Sequence, residues 1–186
     1  MKHITASLLF GFLALSAAAP QAVAETAIAP EVSPPGDIPD NQSFVSFTSP
    51  TGFSIKVPEG WARKDDGAKT TFNDKYNHVL LQQGEAALAI DEAYAKATLI
   101  PDLRKNRRAV DKVTIKMLTL KSGPVLALDY DSNSEPNTVT NKQVREENES
   151  LYFVKGNKLV TVTLSAPKGA DNVDQWLFMA NSFRWK

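Results

Sequence analysis

The stretch LYFVKGNKLVTVTLSAP, Leu151 to Pro167, constrains the fold most. Two runs rich in β-branched and aromatic residues flank Gly156-Asn157, both of which tolerate the positive φ that a tight two-residue hairpin loop demands. The runs must therefore pair antiparallel. Other short runs keep the strand period: Phe53, Ile55 and Val57 alternate with Ser54 and Lys56 until Pro58-Glu59-Gly60 stops them. Val113, Ile115 and Met117 alternate with Lys112, Thr114 and Lys116, after which Leu118 and Leu120 take the opposite parity. A bulge or a second covered face accounts for that switch. Gly123-Pro124 turns the chain into a further strand, Val125 to Tyr130.

Helical signals are fewer. Asp171 can cap a helix in which Val173, Trp176, Leu177, Ala180 and Phe183 recur at three- and four-residue spacing, and this helix should lie across the sheet. A second helix reads from Asp91 to Leu99 and is stopped by Pro101. The fold class is therefore α+β, a mainly antiparallel β-sheet covered by helices.

Residues 1–24 carry Lys2, an apolar core from Leu8 to Ala19, and Ala22-Val23-Ala24 before Glu25, the order of a signal peptide. The apolar run falls short of the ~20 residues a membrane-spanning helix needs, so no transmembrane segment is expected. Four of the eleven prolines lie between Pro30 and Pro39, so 25–42 reads as an extended tether. Residues 43–186 then form one domain.

Composition narrows the chemistry. With no cysteine, disulfides, thiolate metal sites, a cysteine nucleophile and a lipidated cysteine anchor are excluded. Of two histidines, only His78 lies outside the leader. The 21 Lys and Arg balance 21 Asp and Glu. Loss of the leader removes one lysine and no acid, leaving a net charge of about −1, which argues against nucleic acid as the partner.

Several strings together resemble the PsbP-like domain family: FTSPTGFSIKVPEGW at Phe47–Trp61, KSGPVLALDYDS at Lys121–Ser132, and the close from Tyr152 to Trp185 that ends in Ser-Phe-Arg-Trp. The resemblance covers about residues 44–186. It implies an exported or thylakoid-lumen domain in which helices cover an antiparallel sheet, with the eukaryotic Ran-binding proteins of the same fold group as further relations. It also implies a small extrinsic subunit or assembly factor. No catalytic motif or metal site comes with it. Trp61, Trp176 and Trp185 are expected to supply core area.

The most asymmetric charge run is RKNRRAVDKVTIK, in which Arg104, Lys105, Arg107, Arg108, Lys112 and Lys116 face one acid, Asp111. It is a candidate surface for a protein or an anionic envelope component, set against a solvated helix end and outward strand face. Asp129, Asp131, Asn133 and Glu135 alternate as a calcium loop begins, but Ser134 and Thr140 stand where the EF-hand pattern needs Gly and Glu. A strand end and polar loop through 131–142 explain the spacing. Glu147 and Glu149 share a strand face and could perform acid–base chemistry only in a cleft that raises one pKa; Arg145 beside them favours an exposed ionic surface. His78 lacks a nucleophile elbow, and no phosphate or dinucleotide fingerprint is present. No metal or cofactor is expected.

The expectation is an exported, non-enzymatic binding or assembly module. It is periplasmic or extracellular, or lumenal in a photosynthetic host. The alternative is a small secreted hydrolase with a helix–sheet cleft, which requires a pocket lined by at least two of His78, Glu147, Asp129 and Arg145.

Overall fold

The computed structural model describes residues 25–86 and 89–186, so the expected leader at 1–24 lies outside the described residues. Ten strands and two helical segments follow. The strands are β1 (Phe44–Ser49), β2 (Phe53–Pro58), β3 (Ala62–Asp66), β4 (Lys69–Asp74), β5 (Asn77–Glu85), β6 (Arg108–Leu120), β7 (Gly123–Asn133), β8 (Arg145–Lys155), β9 (Lys158–Pro167) and β10 (Arg184–Trp185). Antiparallel pairing arranges seven of them in the order β3-β4-β5-β9-β8-β7-β6 and the others in a small sheet, β1-β2-β10.

The β8–β9 hairpin turns on Gly156-Asn157, with Lys155 opposite Lys158. Only Gly156 takes a positive φ, 61°, so one of the two permissive residues is used. In β6 the pairing from Thr114 to Leu120 is unbroken, so no bulge accompanies the parity switch. Both faces are covered there: Val113 and Ile115 pack toward the helix, and Leu118 and Leu120 pack into the main core.

That core lies between the two sheets. Leu81, Phe153, Val162 and Leu164 of the large sheet meet Phe47, Phe53 and Ile55 of the small one, with Met179 and Phe183 from the terminal helix. Phe183 stacks on Phe153 at 3.9 Å and on Phe53 at 5.5 Å between ring centroids. Trp61, Trp176 and Trp185 are only partly buried at the margin. The centre belongs to phenylalanine, which can be enclosed without leaving an indole N–H unpartnered.

The opposite face is helix-covered only over its β6–β8 end, where Leu126, Leu128 and Tyr130 meet Ala95, Leu99, Ile100 and Leu103. Helical cover of the sheet is thus partial, because the small sheet does much of that work. Asp91 caps α1 (Glu92–Tyr94), its Oδ1 accepting from Tyr94 N at 2.8 Å. Pro101 does not stop the helix. A π-helical turn (Ala95–Leu99) precedes α2 (Ile100–Asn106), and the wider turn relieves the clash a proline ring makes with an α-helical carbonyl.

The terminal helix, α3 (Val173–Ser182), begins after Asn172, not at a capping Asp171. It buries Met179 and Ala180, while Val173 and Leu177 stay exposed, because its C-terminal half is the part that packs under the small sheet. Asn172 makes no cap and instead holds the N-terminal segment: Oδ1 accepts from Ile38 N at 2.6 Å, and Nδ2 donates to Gly36 O at 2.9 Å. At the other end Asn133 Oδ1 accepts from Ile28 N at 3.2 Å, and Asn133 Nδ2 donates to Thr26 O at 3.0 Å. Residues 25–42 have no helix or strand, as their prolines require, yet these contacts fasten them along the domain as a strap. Gly36 permits the closest approach, since a Cβ there would lie 2.7 Å from Pro167.

Asn172→Ala leaves the buried Ile38 N–H unsatisfied and is expected to cost about 1–3 kcal/mol. Urea unfolding measures the loss. Limited proteolysis should then cut within 25–42 before the rest of the chain.

Candidate functional site

Two bulges at the start of β6 decide where the basic run points. They fall between Arg108 and Asp111 and between Asp111 and Thr114, and Ala109 and Lys112 take positive φ, 45° and 49°. A buried arginine holds this strained backbone. Arg145 Nη1 donates to Ala109 O at 2.8 Å and to Asn133 Oδ1 at 2.9 Å, and Nη2 pairs with Asp111 Oδ1 at 2.5 Å. The exposed ionic surface expected at Glu147 and Glu149 beside Arg145 is therefore absent: Arg145 and the adjacent Glu146 are buried, and Glu147 and Glu149 are partly buried.

The six basic residues do not form one patch. Arg108 lies at the strand edge, where Nε is 2.9 Å from Glu25 Oε2 and Nη1 is 3.5 Å from Glu135 Oε2. Lys112 pairs with Asp131 at 3.3 Å, and Lys116 pairs with Asp129. These two lysines occupy the α3 side of the sheet. Arg104 and Lys105 are exposed on the last turn of α2, and Arg107 follows as its C-terminal cap. Among the described residues no carboxylate lies within ion-pair distance of these three.

Arg107 opens into a cleft of about 710 Å³ on the face that α2 leaves bare. Its floor is β4, β5, β9 and β8, and its wall is the 134–144 loop. Strand alternation sends His78, Glu146 and Ser165 to this face, the opposite parity from core residues Val79 and Leu164. His78 Nδ1 shares a hydrogen bond with Asn73 Oδ1 at 2.8 Å, and its Nε2 is 3.9 Å from Glu146 Oε1. Burial pushes Glu146 up to about 7, against the pull of Arg107. Burial also pushes His78 down, and the Arg107 charge adds to that. A carboxyl shifted up and an imidazole shifted down thus face one guanidinium. Its parts come from positions 31 to 165, so the sequence singles out Arg107, His78, Glu135 and the polar loop at 131–142 without showing that they meet.

A second cleft, about 370 Å³, lies between α3 and the β6–β8 end of the other face. Val173, Trp176 and Leu177 form its apolar wall, and Lys116, Asp129, Glu147 and Glu149 lie on its floor. Burial pushes Glu149 up to about 7, with Asp129 adding and Lys116 opposing. Asp129 and Glu147 do share a helix–sheet cleft, while His78 is on the far side of the sheet and Arg145 lies at neither cleft. The alternating carboxylates do not curl into a loop: Lys116 takes Asp129, Lys112 and Lys168 take Asp131, and Asn133 holds Arg145 and the strap.

No family model matches the chain, and no curated protein matches it. Among solved structures it is similar to cyanobacterial PsbP (CyanoP) from Synechocystis, at 16% identity over 82% of this chain and 99% of that one, with a TM-score of 0.55. It is also similar to the Saccharomyces cerevisiae Ran-binding protein Mog1p, at 10% identity over 78% of this chain and 96% of that one, with a TM-score of 0.53. The chain has the fold that PsbP and Mog1p share, as the resemblance in its sequence implied. At these identities the likeness is one of fold.

Glu146 is about 5% exposed, and its proton binds more tightly folded than unfolded. Its stabilising effect is complete below pH ~4.5 and is lost as pH rises through about 7, a swing on the order of 3 kcal/mol. Glu146→Gln should therefore raise the thermal midpoint at pH 8 and leave it nearly unchanged at pH 4.5. Paired melts at the two pH values check this, and an equal shift at both would contradict it.

Proposed function

We propose that this protein is an exported, non-enzymatic binding or assembly module of the cell envelope. It engages an anionic group of a protein or envelope partner at the end of α2. One observation carries the reading: Arg104, Lys105 and Arg107 stand together without a carboxylate among the described residues, while Arg108, Lys112 and Lys116 are matched by Glu25, Glu135, Asp131 and Asp129. Free cations attract an external anion, whereas internally paired ones have little left to offer. Mog1p, which has the same fold, is a Ran-binding protein, so this architecture can serve a binding role. No helix among the described residues is long and apolar enough to cross a membrane, and residues 1–24 supply the export signal in this reading.

A hydrolase is the second reading, and the α3 cleft is what favours it. Asp129 stands directly opposite Glu149 in the β7–β8 register, and Glu147 lines the same cleft. A glycosidase would need one of these carboxyls as its acid. Turnover of chromogenic glycosides that disappears in Glu149→Gln would favour this reading over the first.

Phosphatidylglycerol vesicles at low salt provide a defined anionic surface. The Arg104→Ala/Lys105→Ala/Arg107→Ala variant should lose most co-sedimentation, while Arg108→Ala/Lys112→Ala/Lys116→Ala should retain it. Equal loss in both variants, or no wild-type binding above that to phosphatidylcholine, would overturn the assignment.

A further inference from the structure

We infer that the cleft beside Arg107 binds a carboxylate-bearing saccharide, with the guanidinium pairing the carboxylate and neutral side chains taking the hydroxyls. This rests on the reading of α2 as the anion-engaging end and names the chemistry of the ligand.

Three features of the cleft support it. Its volume, about 710 Å³, falls within the ~300–1,000 Å³ range of small-ligand sites. Neutral hydrogen-bonding groups line both sides, Thr71, Asn73 and Ser165 on the sheet and Asn137, Thr140 and Gln143 on the loop. Amides and hydroxyls both donate and accept, which matches a sugar's hydroxyls and suits neither an apolar ligand nor a dense polyanion. Tyr76 is half exposed at the rim, so its ring can cover the C–H face of a sugar while its hydroxyl stays wet.

Charge limits the ligand to about one anionic group per site. Lys75, Arg107 and Lys142 line the cleft along with Glu31, Glu135 and Glu146. With all three acids ionised the charges cancel. With Glu146 protonated the cleft has one surplus positive charge, and Arg107 can meet a planar carboxylate with two parallel N–H donors. Glu146 is buried, faces the cleft and has no salt bridge shorter than the 3.9 Å to His78. Its protonated carboxyl can donate to the ligand, while its ionised form repels it. The groups that set its charge are His78 on β5, Arg107 at the end of α2, Lys75 in the β4–β5 turn, Glu135 and Lys142 in the loop, and Glu31 on the strap. Buried Glu146 ionises near neutrality, so binding should weaken as pH rises from 6 to 8.

Calorimetry with a neutral-sugar trisaccharide that carries a single glucuronate as the probe, on the chain from Glu25 onward, tests the inference. The methyl-esterified trisaccharide and Arg107→Ala should each bind ~10-fold more weakly or worse, the loss expected for one charge-assisted pair. Inorganic phosphate and acetate should not displace the probe. Glu146→Gln should bind with little dependence on pH between 6 and 8, and far-UV circular dichroism checks that both variants remain folded. Binding of the glucuronate trisaccharide equal in wild type and Arg107→Ala, binding of the ester as tight as that of the acid, or displacement by phosphate at similar concentration would overturn the ligand class. If the glucuronate trisaccharide fails to bind while vesicle binding still depends on Arg104, Lys105 and Arg107, only the saccharide inference falls. Loss of Arg107 dependence in both assays removes both readings.

Discussion

The Phe183 ring connects the parts of this molecule that sequence order alone would leave apart. It lies on Phe153 from the middle of the large sheet and on Phe53 from the small sheet, and Trp185 meets its edge at 5.3 Å. Such contacts add to the transfer free energy of burying a large aromatic surface. The small sheet is too short to be stable by itself, with a two-residue third strand, so its place depends on this stack. The position of α3 follows, since Phe183 directly ends that helix, and with it the wall of the cleft on that side.

Electrostatics obeys a second local constraint. Beyond the β6 bulges a strand can present its charges to both faces and its edge, and Arg145 stabilises that geometry by taking Ala109 O and Asp111 at once. Burial of a guanidinium is costly unless its donors are used, and here three of its contacts are made inside the protein. The result is a division of labour within one basic run. Arg108, Lys112 and Lys116 neutralise the strap and the β7 carboxylates, while the cations at the end of α2 have no carboxylate within ion-pair distance among the described residues.

Much of the fold was legible because the relevant signals are local. The Gly156-Asn157 hairpin, the strand ending at Pro58 and the strand after Gly123 depend on turn chemistry and period-two patterning within a few residues. The parity switch at Leu118 was legible too, as one of two explanations, and cover on both faces is the one realised. The Pro101 expectation failed because a π turn changes what a proline does to a helix. The choice between Asp171 and Asn172 turned on partners more than 130 positions away. The expectation of an exposed Arg145 rested on its neighbours along the chain, whereas its partners Ala109, Asp111 and Asn133 come from other strands.

The amino-acid sequence by itself determined the class of fold, the positions of most strands, the extended character of 25–42 and the lack of any thiol chemistry. Those follow from backbone preferences, side-chain period and residue counts. Only the tertiary structure decided which charges remain free, that the proline-rich segment is strapped down, and that two carboxyls near neutrality face opposite clefts. Charge neutralisation and desolvation depend on distance through space, and the β6 bulges and sheet order bring together residues whose separation along the chain carries no such information.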